Sequence, residues 1–101
     1  MALKIRWSPR AAANLEDTFE YIAKDSKHYA SLFIIRLNNL IKSIPNFPQS
    51  GRMVPEYGTE NLREKIFENY RIVYRLKEEW IEIVAIIHSA KPLSHEMDES
   101  L

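Results

Sequence analysis

Residues 62 to 88 read LREKIFENYRIVYRLKEEWIEIVAIIH. Three apolar segments are separated by the two-residue breaks Glu68-Asn69 and Glu78-Glu79. Breaks this short leave no room for a crossover helix, so consecutive segments must pair antiparallel as a meander. The last segment, WIEIVAIIH, is almost wholly apolar, as suits a strand covered on both faces in the middle of a sheet. If Glu68-Asn69 is the turn, Phe67 lies opposite Tyr70, and residues 66, 64 and 62 lie opposite 71, 73 and 75. Directly opposed residues share a face. One face then carries Leu62, Glu64, Ile66, Arg71, Val73 and Arg75. The other carries Arg63, Lys65, Phe67, Tyr70, Ile72, Tyr74 and Leu76, and its larger apolar content makes it the side to be covered.

The cover lies upstream. Residues 2 to 7, ALKIRW, alternate as a short strand with Leu3, Ile5 and Trp7 on one side. Ser8-Pro9 then supplies an N-cap followed by a proline at the first helical position. Ala12, Leu15, Phe19 and Ile22 recur at helical spacing to about Lys24. Asp25-Ser26 breaks the pattern and caps a second helix, whose stripe is Ala30, Phe33, Ile34, Leu37, Leu40, Ile41 and Ile44. So short a link implies an antiparallel helical hairpin. Pro45, Pro48, Gly51 and Pro55 mark residues 45 to 60 as loop. The expected fold is α+β: a short N-terminal strand, then a helical hairpin packed on one face of a small antiparallel sheet that ends in the three-strand meander, with the second face partly open. Residues 1–93 form one domain in this reading. Residues 94–101 are a polar, acidic tail expected to fray.

With 101 residues the chain is one domain with one modest core. It has no cysteine, which excludes disulfides and thiolate metal sites and is compatible with a reducing cytoplasm. No apolar run approaches the roughly 20 residues of a membrane span, and the N-terminus has no signal-peptide core. His28 and His95 have no partner at metal-ligand spacing, and there is no phosphate-binding glycine loop or nucleophile elbow. No metal or cofactor is expected. Formal net charge is zero, so any basic site must be local and offset elsewhere.

Arg71 and Arg75 point to the less covered face in this register. An arginine there can hold a phosphate or carboxylate through two parallel hydrogen bonds. It can equally be a solubilising group, or pair with a neighbour such as Glu64. His88, at a strand end, is either an acid–base group or a half-buried residue satisfied by backbone. Glu56 follows Val54-Pro55 and reads first as a surface acid.

The segments SPRAAANLEDTFEYIA, GRMVPE, LRE, YRIVYRL and IIHSAKPL, spread over about residues 5 to 93, resemble in their order the toxins of the RelE/ParE superfamily. The resemblance implies the growth-inhibiting half of a type II toxin–antitoxin module of the kind that stabilises plasmids. It implies a cytoplasmic protein that needs no cofactor, in a hetero-oligomeric complex with a cognate antitoxin that wraps an extended segment around it and folds on binding. The superfamily divides by target. RelE-like members are ribosome-dependent messenger RNA endoribonucleases (mRNA interferases); ParE-like members inhibit DNA gyrase. For the nuclease branch, the sheet arginine matches Arg71, and the arginine after the last strand falls near Lys91. The two lysines often present on the preceding strand fall at Leu62 and Glu64 and are absent, and the later tyrosine has no counterpart. Some ribonuclease relatives use a glutamate, an arginine and a histidine, which Glu56, Arg71 and His88 could supply. For the ParE branch, IIHSAKPL, the long hairpin and the neutral charge are the similar features. That reading is slightly favoured, with Arg63, Arg71, Arg75 and Lys91 as target- or phosphate-binding candidates. A third possibility is a non-toxic relative that retains only antitoxin binding.

Overall fold

A computed structural model describes residues 3–91 and 93. The elements are β1 (Lys4–Trp7), α1 (Pro9–Ala23), α2 (Lys27–Ser43), a 3-10 turn (Ile44–Asn46), β2 (Arg52–Met53), β3 (Leu62–Phe67), β4 (Tyr70–Leu76) and β5 (Trp80–His88). They build one five-stranded sheet in the order β1-β5-β4-β3-β2, with both helices on one face. The class is α+β as expected, and the β3–β4 register is the one the two-residue turn implies, from Phe67 opposite Tyr70 to Leu62 opposite Arg75. Glu68 makes that turn at φ +52, a left-handed conformation uncommon outside glycine, asparagine and aspartate.

Both helix starts follow the serine caps. The Ser8 hydroxyl accepts from the Ala11 amide at 3.0 Å, and Ser26 accepts from the Tyr29 amide at 3.0 Å. The stripe on α1 differs from the expected one. Ala11, Leu15, Thr18 and Ile22 face the sheet, whereas Ala12 is exposed and Phe19 is half-buried. The stripe on α2 is as expected, with Ala30, Phe33, Leu37 and Ile41 buried. These side chains meet Ile72, Tyr74, Ile81, Ile83 and Ile86 in the main core.

Three features lie outside the expected layout. The sheet is not wholly antiparallel, because β1 pairs parallel with β5, Lys4 opposite Trp80 through Trp7 opposite Ile83. The loop over residues 45 to 60 contains the edge strand β2, paired with Arg63 and Glu64. The second face is not open over Arg71. Val54, Leu62, Val73, Val84 and Ala85 form a second core there, with Tyr57, Ile87 and Leu93 packed against it. The expectation for residues 94–101 lies outside the described residues.

A bulge between β4 and β5 arranges this second core. Val73 lies opposite Ala85 and Tyr74 opposite Ile83, leaving Val84 as the extra residue. An inserted residue reverses the alternation of sides beyond it. Ile81 and Ile83 face the helices, Val84 and Ala85 face the second core, and Ile86 faces the helices again. Beyond Trp7 no strand among the described residues lies beside the edge of β5. The N-terminal part of α1 takes over: the Ser8 hydroxyl donates to the Val84 carbonyl at 2.9 Å, and the Asn14 side chain accepts from the Ile86 amide at 3.0 Å.

The loop before β3 is tied down by two polar side chains. The fully buried Tyr74 donates its hydroxyl to the Pro48 carbonyl at 2.7 Å and accepts from the Gly51 amide at 3.0 Å. A Cβ at Gly51 would lie 2.6 Å from both the Glu64 carbonyl oxygen and the Tyr74 hydroxyl, so only glycine fits this close approach. Arg63 donates to the carbonyls of Glu60 and Gly51, each at 2.9 Å.

Asn14→Leu removes the acceptor for the Ile86 amide and leaves a part-buried donor unmade. Expected destabilisation is about 1–3 kcal/mol, measured by urea unfolding, with little change in m-value.

Candidate functional site

Arg71 stands in the middle strand, on the face away from the helices, and its side chain is only 7% exposed. Isolated burial of a guanidinium is costly, so its donors must be matched. Two carboxylates do this from opposite sides. Glu64, whose side chain is fully buried, accepts from Arg71 Nε at 2.6 Å. Glu56 accepts from Nη1 at 2.8 Å and from Nη2 at 2.7 Å, a bidentate fork. Glu64 also accepts from Arg52 Nε at 2.6 Å, and Glu56 accepts from the Leu93 amide at 3.1 Å. The Lys91 carbonyl completes the ring around Arg71 at 3.4 Å from Nη1. Two cations and two anions thus join β2, the β2–β3 loop, β3, β4 and the segment after β5.

The electrostatics follow from this pairing. The fork to Arg71, aided by the Leu93 amide, depresses the Glu56 carboxyl from its usual 4.5 to about 2, against a smaller opposing effect of burial. The two carboxylates, Glu56 foremost, raise the Arg71 pKa further, so it is cationic throughout.

His88 is elsewhere. It lies opposite Tyr70 on the helix side of the sheet, and the two rings meet edge to face at 5.5 Å. Tyr70 in turn packs on Phe33 of α2 at 5.5 Å. Together with Tyr21, Tyr29, Asp17 and Glu68 they line a cleft of about 630 Å³ between the helices and the ends of β4 and β5. Tyr21 is 69% exposed there, and Tyr29 donates to Glu68 at 2.8 Å. The sheet therefore separates His88 from the Glu56–Arg71 pair.

The other candidates are placed as follows. Arg63 is held by the loop carbonyls described above. Arg75 is half-buried on the Arg71 face, opposite Leu62 and Glu82. The Lys91 side chain is exposed at the rim of the helix-side cleft. Leu62, where the resemblance expects a lysine, is 1% exposed in the second core. Glu64 occupies the other expected lysine position. Sequence reasoning named Glu64 as a possible neighbour of an arginine and as the place of an absent lysine, and did not single out Arg52 within the GRMVPE segment. Among the described residues, no group of three or more acidic or histidine side chains is placed to hold a metal ion.

The family model described as ParE toxin of type II toxin-antitoxin system, parDE, matches residues 5–93. A protein of Sinorhizobium fredii (strain NBRC 101917 / NGR234), named "Putative toxin Y4kP", is 28% identical over 88 residues, covering 85% of this chain and 88% of its own. Among solved structures, the chromosomal ParDE system from P. aeruginosa superposes with a TM-score of 0.71 at 19% identity, covering 86% of this chain and 96% of that one. The YoeB dimer from Staphylococcus aureus gives 0.56 at 22% identity, covering 87% and 98%. The fold is the one seen in these chains of the ParDE system and the YoeB dimer. The chain belongs to the ParE toxin family of type II toxin–antitoxin systems.

Glu64→Ala leaves Arg71 buried beside one carboxylate, and a loss of about 3–5 kcal/mol is expected. Pairing Glu64→Leu with Arg71→Met removes both buried charges and should recover most of that loss; chemical denaturation of the three proteins measures it. The Glu56 interaction has a defined acid dependence. Its folded pKa lies below its unfolded value, so its contribution is complete above about pH 4.5 and is lost as pH falls towards 2. The difference in melting temperature between the parent and Glu56→Gln should shrink over that window and stay constant above it.

Proposed function

We propose that this chain is the growth-arresting toxin of a type II module, acting in the cytoplasm by binding DNA gyrase and held inactive by a cognate antitoxin in a hetero-oligomeric complex. The observation that carries the reading is the separation of Arg71 from His88. Ribonuclease chemistry at a 2′-hydroxyl needs a base, an oxyanion stabiliser and an acid around one phosphate. Here Glu56 and Arg71 are on one side of the sheet and His88 on the other. Arg71 is, in addition, already neutralised by two carboxylates. A protein target makes no such demand, and a chain of zero net charge suits one better than it suits ribosomal RNA.

The family match supports the toxin role and the ParE branch. The antitoxin is supported by the relatives: one neighbour is a ParDE system, and another is a YoeB–YefM complex from Staphylococcus aureus. In this reading Arg71 organises the target-facing sheet surface with Arg75 as a contact residue at its margin, and Lys91 contacts the target from the rim of the helix-side cleft. Arg63 contributes by holding the loop beside it.

Two assays on one preparation test the proposal. Purified chain added to gyrase and relaxed plasmid should inhibit supercoiling in proportion to its concentration. The same chain in a cell-free translation reaction, read by primer extension, should leave the message intact. Cuts that appear only on translating ribosomes, with supercoiling unaffected, would replace this reading with mRNA cleavage. Harmless expression without an antitoxin would leave antitoxin binding alone.

A further inference from the structure

The two carboxylates on Arg71 are not equivalent. Glu64 is fully buried in β3 and cannot leave without unpacking the sheet. Glu56 projects from the loop between β2 and β3, with 31% of its side chain exposed. The loop is anchored by Val54, fully buried, and by the half-buried Tyr57, while Pro55 and Glu56 are themselves exposed. Rotating the Glu56 side chain into solvent therefore breaks the fork to Arg71 and the bond from the Leu93 amide, but no apolar contact of the core.

What remains after that rotation is a shaped acceptor site. The Nη edge of Arg71 faces outward with two parallel donors, and the Leu93 amide lies beside it as a third. Arg71 and Arg52 against Glu64 leave one net positive charge. A single carboxylate neutralises it and matches the planar fork. The geometry is known to accept one, because Glu56 occupies it.

We infer that the outward edge of Arg71 and the Leu93 amide form a carboxylate-binding site that Glu56 fills in the resting chain and that an aspartate or glutamate of a protein partner takes by displacing Glu56. Glu56 is then a self-ligand that sets how tightly an acidic partner residue binds. The inference rests on the reading of this face as protein-binding only for the nature of the partner. The site itself is tested without gyrase, antitoxin or growth.

The test uses Glu56→Ala and the parent as 101-residue chains, with sodium acetate as probe and sodium chloride at equal ionic strength as reference. Acetate should raise the melting temperature of Glu56→Ala by about 3 °C or more, along a saturating curve, and the parent by less than about 1 °C. The Arg71 side-chain N–H resonances of the variant should shift along the same curve. Glu56→Gln, which keeps the side-chain volume and presents an amide in place of the second acceptor, serves if the alanine variant does not fold. Equal responses to acetate and chloride in the variant, or equal acetate responses in variant and parent, would overturn the site. A stronger response to dimethyl phosphate than to acetate would overturn the carboxylate assignment in favour of a nucleic-acid backbone. Acetate binding by a chain that inhibits nothing would leave the site standing and remove the toxin reading.

Discussion

The structure on its second face depends on keeping one buried guanidinium satisfied. Arg71 is in the central strand, where its neighbours on the same face are Val73 on its own strand and Ile66 and Ile87 across it. A cation there cannot be left with apolar neighbours alone. Glu64 comes from β3, Glu56 from the loop before it, and the Lys91 carbonyl from the segment after β5. Each is drawn over the sheet to reach the same group, and Val54, Tyr57 and Leu93 pack where the polar contacts place them. The cover on this face is therefore organised by charge first and sealed by apolar side chains second. That order is the reverse of the helix side, where an apolar core carries the Tyr74 hydroxyl and buried Thr18 as polar groups.

The β-bulge determines which functional groups can meet. With strict alternation from Ile81, His88 would share a face with Glu82 and so with Arg75 and Arg71. Val84 and Ala85 both turn to the second core instead, and every later side chain changes sides. His88 is carried to Tyr70 and the helix-side cleft. One inserted residue therefore removes the histidine from the Arg71 site.

This also explains what could be read in the sequence and what could not. The β3–β4 register was legible because a two-residue turn permits little else, and the helix starts were legible because Ser8-Pro9 and Ser26 are local signals. The bulge was not, because Val84 through Ile87 are apolar on both faces and alternation leaves no trace there. The parallel pairing of Lys4 with Trp80 joins residues at opposite ends of the chain and has no local signature. Arg71 stood out in the sequence as a charge within an apolar strand, on a face read as open. Its burial depended on a loop whose path is set by Tyr74, Arg63 and the lack of a side chain at Gly51, all of them long-range contacts. The position of the α1 stripe, displaced from Ala12 to Ala11, was decided by packing against β5, which tolerates alanine at either place.

Leu62 and Glu64 gain a different meaning from this geometry. Compared with the ribonuclease pattern that the sequence resembles, they are two missing lysines. In the folded chain one is a core residue and the other is the innermost partner of Arg71. A lysine at 64 would put a third cation beside Arg71 and Arg52 and take away the acceptor that both use. A lysine at 62 would push an ammonium into the cluster of Val54, Val73 and Val84. Both positions are committed to the packing and neutralisation of this face. Arg71 in this chain keeps its place in the motif but binds a carboxylate pair.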